Sequence, residues 1–342
     1  MVSYMEMSHL PRESVQRLAQ QFGPEWLQKQ WTWTVYVDGV RWRMNIERKG
    51  EKGTDRLEIG CDGSTVYSLN ILAGNNSPTS NKSSANDSIA VIEPGVMPCE
   101  LHFAAQPLWV IFCAPHLLGF FPDNKMPSLD LIAGVECLES RSARFEFRYE
   151  MLSQSEFFST FELLNDGYIR EKLDDGRFFV ARRDPPYENG FVKNRLQVEE
   201  VKEFGGIRVP VRVIYERLTP SGSTNSLLGI VDRWTITVES ASVTNLSNMV
   251  WIPEPTGNTD IKDRRYMQKS PPEFEIAYRL NDKKWLKQTD PYLVQQYDAG
   301  VGREAARQKG DHRYYITYLL AGLSLFALVF IVWKGLKSRN EG

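Results

Sequence analysis

Trp31–Val37 (WTWTVYV) runs into Val40–Glu47 (VRWRMNIE) across the dipeptide Asp38-Gly39. In an extended chain successive side chains point to opposite sides, so Val40, Trp42, Met44 and Ile46 share one face. Arg41, Arg43, Asn45 and Glu47 share the other. Asp-Gly between two such alternating runs specifies a tight hairpin, because the glycine accepts the positive φ that the turn requires. The pattern recurs. Asp62-Gly63 separates DRLEIGC from STVYSLNIL, and Asp166-Gly167 separates FFSTFELLN from YIREKLD. Asp175-Gly176 leads into RFFVARR, Asn189-Gly190 opens another run, and Gly205-Gly206 separates VKEF from IRVPVRVIYERL. Ile207, Val209, Val211, Val213 and Tyr215 fall on one face, as do Trp234, Ile236 and Val238. Helical patterns do not alternate with these runs, which excludes a doubly wound nucleotide-binding fold. The reading is a mainly β protein: a large curved antiparallel sheet or half-barrel with a few short helices, apolar on one face and solvated on the other.

Near the C-terminus Tyr314–Trp333 (YYITYLLAGLSLFALVFIVW) carries no charge. As a helix it covers about 30 Å, the thickness of a bilayer's hydrocarbon core. Tyr314, Tyr315, Tyr318 and Trp333 lie near its ends, where aromatic rings prefer the interface, and Lys334, Lys337 and Arg339 follow as a polar stop. The expectation is a single-pass transmembrane helix. Met1–Gln30 contains Glu6, Glu13 and Glu25 and lacks the apolar core of a secretory signal, which points to an anchor inserted after synthesis. Basic residues flank the anchor on both sides, so the side of the membrane that holds the large domain stays open. Pro11–Phe22 has helical spacing through Val15, Leu18, Ala19 and Phe22. The expected division is a helical N-terminal segment over 1–30, an antiparallel β domain over 31–280, a juxtamembrane linker over 281–313, the membrane helix over 314–333 and a polar tail over 334–342.

Forty-one basic and forty-three acidic residues leave a net charge of −2, against a nucleic-acid partner. Two stretches interrupt the strands. Gly74–Asp87 (GNNSPTSNKSSAND) is polar and small, a predicted loop. Phe103–Pro122 (FAAQPLWVIFCAPHLLGFFP) has no charge but contains Gln106, Pro107, Pro115 and His116. These make it a poor membrane span and a good pair of short helices, or a hairpin, laid over the sheet's apolar face.

Leu57–Asn70 (LEIGCDGSTVYSLN), after a Trp-rich hairpin, resembles the second and third strands of the LolA/LolB/RseB superfamily of lipoprotein-carrier-like domains. Gly205–Leu218 (GGIRVPVRVIYERL) and Val250–Tyr266 (VWIPEPTGNTDIKDRRY) resemble later segments of that superfamily. The resemblance covers residues 25–280. It implies an incomplete barrel around helices, with an apolar concavity that accepts acyl chains, and it implies no catalytic residue. A C-terminal membrane helix departs from the soluble carriers and fits a membrane-held relative better than a shuttle.

Cys99-x2-His102 and Cys113-x2-His116 have the paired spacing of a tetrahedral zinc site. The segment between them, FAAQPLWVIF, demands burial. Cys99 and Cys113 therefore read as buried apolar groups or bridge partners, and no metal is expected. The four cysteines, with Cys61 and Cys137, are too few for a disulfide scaffold. No nucleophile elbow, phosphate loop, dinucleotide fingerprint or zincin motif occurs. Glu199-Glu200 and Asp174-Asp175 read as solvated strand or turn residues, and Arg182-Arg183 and Arg264-Arg265 as loop residues. The remaining functional candidate is the apolar face bearing Trp31, Trp33, Trp42, Val66 and Trp234. The expectation is a membrane-anchored, non-catalytic domain without cofactor, which accepts a lipid, an acyl chain or a lipidated protein on that face. The alternative is a membrane-tethered sensor or scaffold that binds a protein partner.

Overall fold

A computed structural model describes residues 2–6, 30–50, 53–71, 88–97, 105–120, 125–127, 144–172, 178–220, 228–256, 258–266 and 275–302. The first hairpin forms as its pattern demands. β2 (Gln30–Asp38) pairs antiparallel with β3 (Arg41–Gly50), from Thr32 opposite Glu47 to Asp38 opposite Arg41. β4 (Gly53–Cys61), β5 (Thr65–Ile71) and β6 (Ser88–Pro94) continue the meander. Gly39 and Gly63 close its turns at φ +58° and +99°. The Asp62 carboxylate accepts hydrogen bonds from the Ser64 and Thr65 amides, both at 2.9 Å.

A second antiparallel group follows. It comprises β7 (Lys125–Pro127), β8 (Arg144–Met151), β9 (Phe158–Asn165), β12 (Phe191–Phe204), β13 (Ile207–Pro220) and β14 (Leu228–Thr237). Between β9 and β12 the chain leaves to form a separate two-stranded sheet, β10 (Tyr168–Lys172) with β11 (Phe178–Arg182). Asp166-Gly167 is therefore not a hairpin between paired strands. The chain exits there and returns at Gly190, and both glycines lie against backbone. A Cβ at 167 would sit 2.5 Å from the Glu188 carbonyl oxygen, and one at 190 would sit 2.2 Å from that of Asn165.

The two groups are joined by a strand that the sequence pattern does not announce. β1 (Val2–Glu6) inserts between β2 and β14, pairing Val2–Glu6 with Thr237–Arg233 on one side and Ser3 with Trp31 on the other. The start of the chain is thus extended, not helical as expected for 1–30. Five residues are too few to display a period, and the backbone partners on both flanks decide the conformation. The predicted helix Pro11–Phe22 lies outside the described residues. β15 (Thr259–Asp263) adds to β6 in parallel, and β16 (Ile276–Leu280) lies beside it. The sheet is thus not wholly antiparallel. Among the described residues it has fourteen strands in the order β16-β15-β6-β5-β4-β3-β2-β1-β14-β13-β12-β9-β8-β7, and no closed barrel.

The chain divides into two compact units, 1–263 with 277–285, and 264–276 with 286–342. In the second unit residues 291–302 are helical, Tyr266 stacks on Tyr297 at 4.9 Å, and buried Arg264 pairs with Glu275 at 2.8 Å. Among the described residues no helix is long and apolar enough to cross a membrane. Tyr314–Trp333 and Gly74–Asp87 lie outside the described residues.

Candidate functional site

The alternating runs direct their apolar residues to one face. Trp31, Trp33, Trp42, Met44, Ile46, Leu57, Ile59, Cys61 and Val66 come from β2 to β5, and all are buried. Phe147, Phe158, Phe161, Leu163, Leu196, Val209, Val211, Val213, Tyr215, Trp234 and Ile236 come from the other side of β1. These residues form one continuous apolar cluster. Trp31, Trp33, Trp42, Val66 and Trp234, picked out from the sequence, all belong to it.

The same cluster contains the uncharged segment. Residues 105–120 pass from an α turn (Gln106–Leu108) through a wide π turn (Trp109–Cys113) into a 3-10 stretch (Ala114–Phe120). Pro107 suits the first turn, where its missing N–H has no helical partner. Every residue from Ala105 to Ala114 is buried. Phe112 lies 5.2 Å from Trp33 on β2 and 6.1 Å, edge-on, from Phe157 before β9, so it touches both strand groups. The expected helical cover of the apolar face is present. Where the sheet rim meets it, the Trp42 indole N–H donates to the Val96 carbonyl at 3.1 Å. The Trp33 indole N–H is buried without a hydrogen-bond partner. Sequence reasoning missed the aromatic share of β8 and β9, although FEFRY (145–149) and FFSTF (157–161) alternate visibly.

The histidine–cysteine pattern splits. Cys99 and His102 lie outside the described residues. Cys113 is fully buried and its thiol pKa is raised, first by burial and then by the neighbouring Cys61. Burial likewise pushes the Cys61 thiol up to about 11. His116 packs edge-on against Phe157, with Nδ1 3.6 Å from a Glu156 carboxylate oxygen; burial lowers its pKa and Glu156 opposes this. Among the described residues no group of three or more His, Cys, Asp or Glu side chains could hold a metal ion.

The core face turns polar at one end. Asn194 Nδ2 donates to the Tyr215 hydroxyl at 2.5 Å, and Arg217 donates to Asp232 Oδ2 from Nε at 2.7 Å and also from Nη2. Asp232 is buried, and its Oδ1 has no hydrogen-bond partner.

On the opposite face the solvated expectation holds in part over the second strand group, where Arg195 and Glu199 are exposed but Glu216 is buried, and it fails over the first. Arg43 is only 14% exposed. It pairs with Glu58 at 2.7 Å and donates to the Val250 carbonyl at 2.7 Å, because the segment around Trp251 lies across β4. Gly60 permits that crossing, since a Cβ there would stand 1.9 Å from the Trp251 carbonyl oxygen. Over β9, β12, β13 and β14 the register sets Glu162, Arg195, Glu216 and Arg233 in one row across four strands. Glu199 and Arg212, one of the predicted solvated sites and its partner, pair at 2.7 Å beside this row.

Comparisons with protein-family models, with curated proteins and with solved structures found no match.

Proposed function

We propose that this chain is a non-catalytic, membrane-held binding domain whose concave core face accepts an acyl chain of a lipid or lipidated protein. The observation that carries this reading is the uncharged segment 105–117, seated on a continuous aromatic and aliphatic face that unites both strand groups. A bound alkyl chain would take the place of that segment. Leu108, Trp109, Ile111, Phe112 and Leu117 each contribute roughly 2 kcal/mol by burial, on the order of 10 kcal/mol together. An acyl chain of about fourteen methylenes offers about 11 kcal/mol at ~0.8 kcal/mol each. The two are near balance, so a lipid can exchange with the segment at modest net cost. The resemblance to lipoprotein-carrier-like domains and the uncharged Tyr314–Trp333 stretch support the same reading.

The test uses the full chain in a mild detergent. Extracted lipids are read by mass spectrometry, and binding of an environment-sensitive fluorescent fatty acid is titrated against wild type and Phe112→Ala. Co-purified lipid, with tighter probe binding once the segment is loosened, is expected. Reproducibly empty protein with no saturable probe binding in either form would refute the proposal. A second reading, a tethered scaffold for a protein partner, is favoured by the ordered charge row on the outer face.

A further inference from the structure

The row on the outer face alternates strictly in sign. Across four strands it reads Glu162, Arg195, Glu216, Arg233, one residue per strand. Within the row Arg195 Nε lies 3.2 Å from Glu162, and Arg233 reaches Glu216 at 2.6 Å. An even-numbered alternating row has a property that its own ion pairs do not use. Turned end for end and laid on a copy of itself, every cationic position meets an anionic one: 162 meets 233, and 195 meets 216.

We propose that this outer face binds a second copy of the chain, with a two-fold axis running along the strands between β12 and β13. An axis along the row would instead oppose like charges, which costs affinity and fixes the orientation. The neighbouring row obeys the same axis. It reads Thr160, Gln197, Ile214, Thr235 and is uncharged, so Gln197 would meet Ile214 and Thr160 would meet Thr235. Beyond it Glu199 on β12 would face Arg212 on β13, again opposite in sign. A cleft of about 260 Å³ lies at the midpoint, lined by Arg195, Gln197, Glu199, Ile214, Glu216 and Arg233. It straddles the proposed axis and gives the partner's long side chains somewhere to enter. Twist between packed sheets, about 30°, confines close matching to the central strands. The contact is polar, so its strength falls with salt.

The proposal stands apart from the lipid reading, since the two use opposite faces of the sheet. It is tested on the full chain in a mild detergent by light scattering at about 50 mM and about 500 mM salt, where charge contacts are screened. A dimer at low salt, with a dissociation constant rising about tenfold or more at high salt, is expected. Arg195→Glu and Glu216→Arg should each be monomeric alone. An equimolar mixture should dimerise, because positions 195 and 216 carry two anions in one variant and two cations in the other, so both cross-pairs are again opposite in sign. Ile214→Cys in the otherwise unchanged chain should cross-link with a short bis-maleimide, well above wild type treated identically. A monomeric wild type at low salt overturns the proposal. So does a dimer indifferent to Arg195→Glu, or folded single variants whose mixture stays monomeric. If either charge variant fails to fold by circular dichroism, Ile214→Cys decides alone, and no cross-linking above wild type overturns it.

Discussion

Substituting Gly60 with alanine probes whether the Trp251 segment is fastened to the sheet through that one position. The added methyl carbon would stand 1.9 Å from the Trp251 carbonyl oxygen and 3.0 Å from its carbonyl carbon. Both atoms are backbone, so no side-chain rotation relieves the overlap, and the segment must move by about 1.5 Å to regain ordinary contact. Two hydrogen bonds depend on its present place. Arg43 Nη1 donates to Val250 O at 2.7 Å, and the Trp285 indole N–H donates to Pro253 O at 2.7 Å. Losing or stretching both, the first exposed and made by a charged donor and the second partly buried, costs about 1–2 kcal/mol each, giving roughly 2–4 kcal/mol in total. For a domain of this size each kcal/mol lowers the melting temperature by about 2–4 °C, so a drop of roughly 5–15 °C is expected by tryptophan fluorescence. The double variant with Arg43→Ala should lose less than the sum of the two single variants, because both act on the Val250 contact. A melting temperature unchanged within about 1 °C, or strict additivity, would refute the reasoning.

Other perturbations have equally definite outcomes. Phe112→Ala empties the space between Trp33 and Phe157 and should cost about 3–5 kcal/mol in denaturant unfolding, with little change in slope. Arg217→Ala leaves the buried Asp232 carboxylate without its guanidinium and should cost about 3 kcal/mol, read as a lower urea midpoint. Cys61 and Cys113 should resist iodoacetamide at pH 8 in the native protein and react fully in denaturant, since burial holds both thiols protonated. His116 has a folded pKa below its unfolded value, chiefly through burial, so below the unfolded pKa of about 6.5 the unfolded chain binds more protons. Its contribution to stability is present above that pH and is lost as pH falls toward the folded value. His116→Gln should flatten that part of the stability–pH curve.

The hairpins and the burial of the uncharged segment were legible because each rests on local chemistry. Asp38-Gly39 sets its own register, and FAAQPLWVIF has no group that wants water beyond a single amide. The candidate apolar face followed from alternation alone, down to Trp33 and Trp234. Other features depend on partners far apart in the chain. Val2–Glu6 is a strand because β14 lies beside it, some 230 residues later. Gly60 reads as an ordinary strand glycine until Trp251 is set against it. Arg43 looks solvated because the segment that covers it is irregular and has no period. The charge row was invisible for the same reason: its four members are unremarkable singly and align only once four strands share a register.

The placement of Val2–Glu6 bears on how the protein is made. Val2–Glu6 joins two halves of one sheet, yet only Ser3 and Tyr4 find partners on β2. The firmer partner, Arg233–Thr237, emerges after more than two hundred further residues. A nascent strand must therefore wait through more than two hundred residues of synthesis before it is held on both flanks. Deleting Val2–Glu6 would leave two raw edges facing each other in mid-sheet, an opening for another chain to fill.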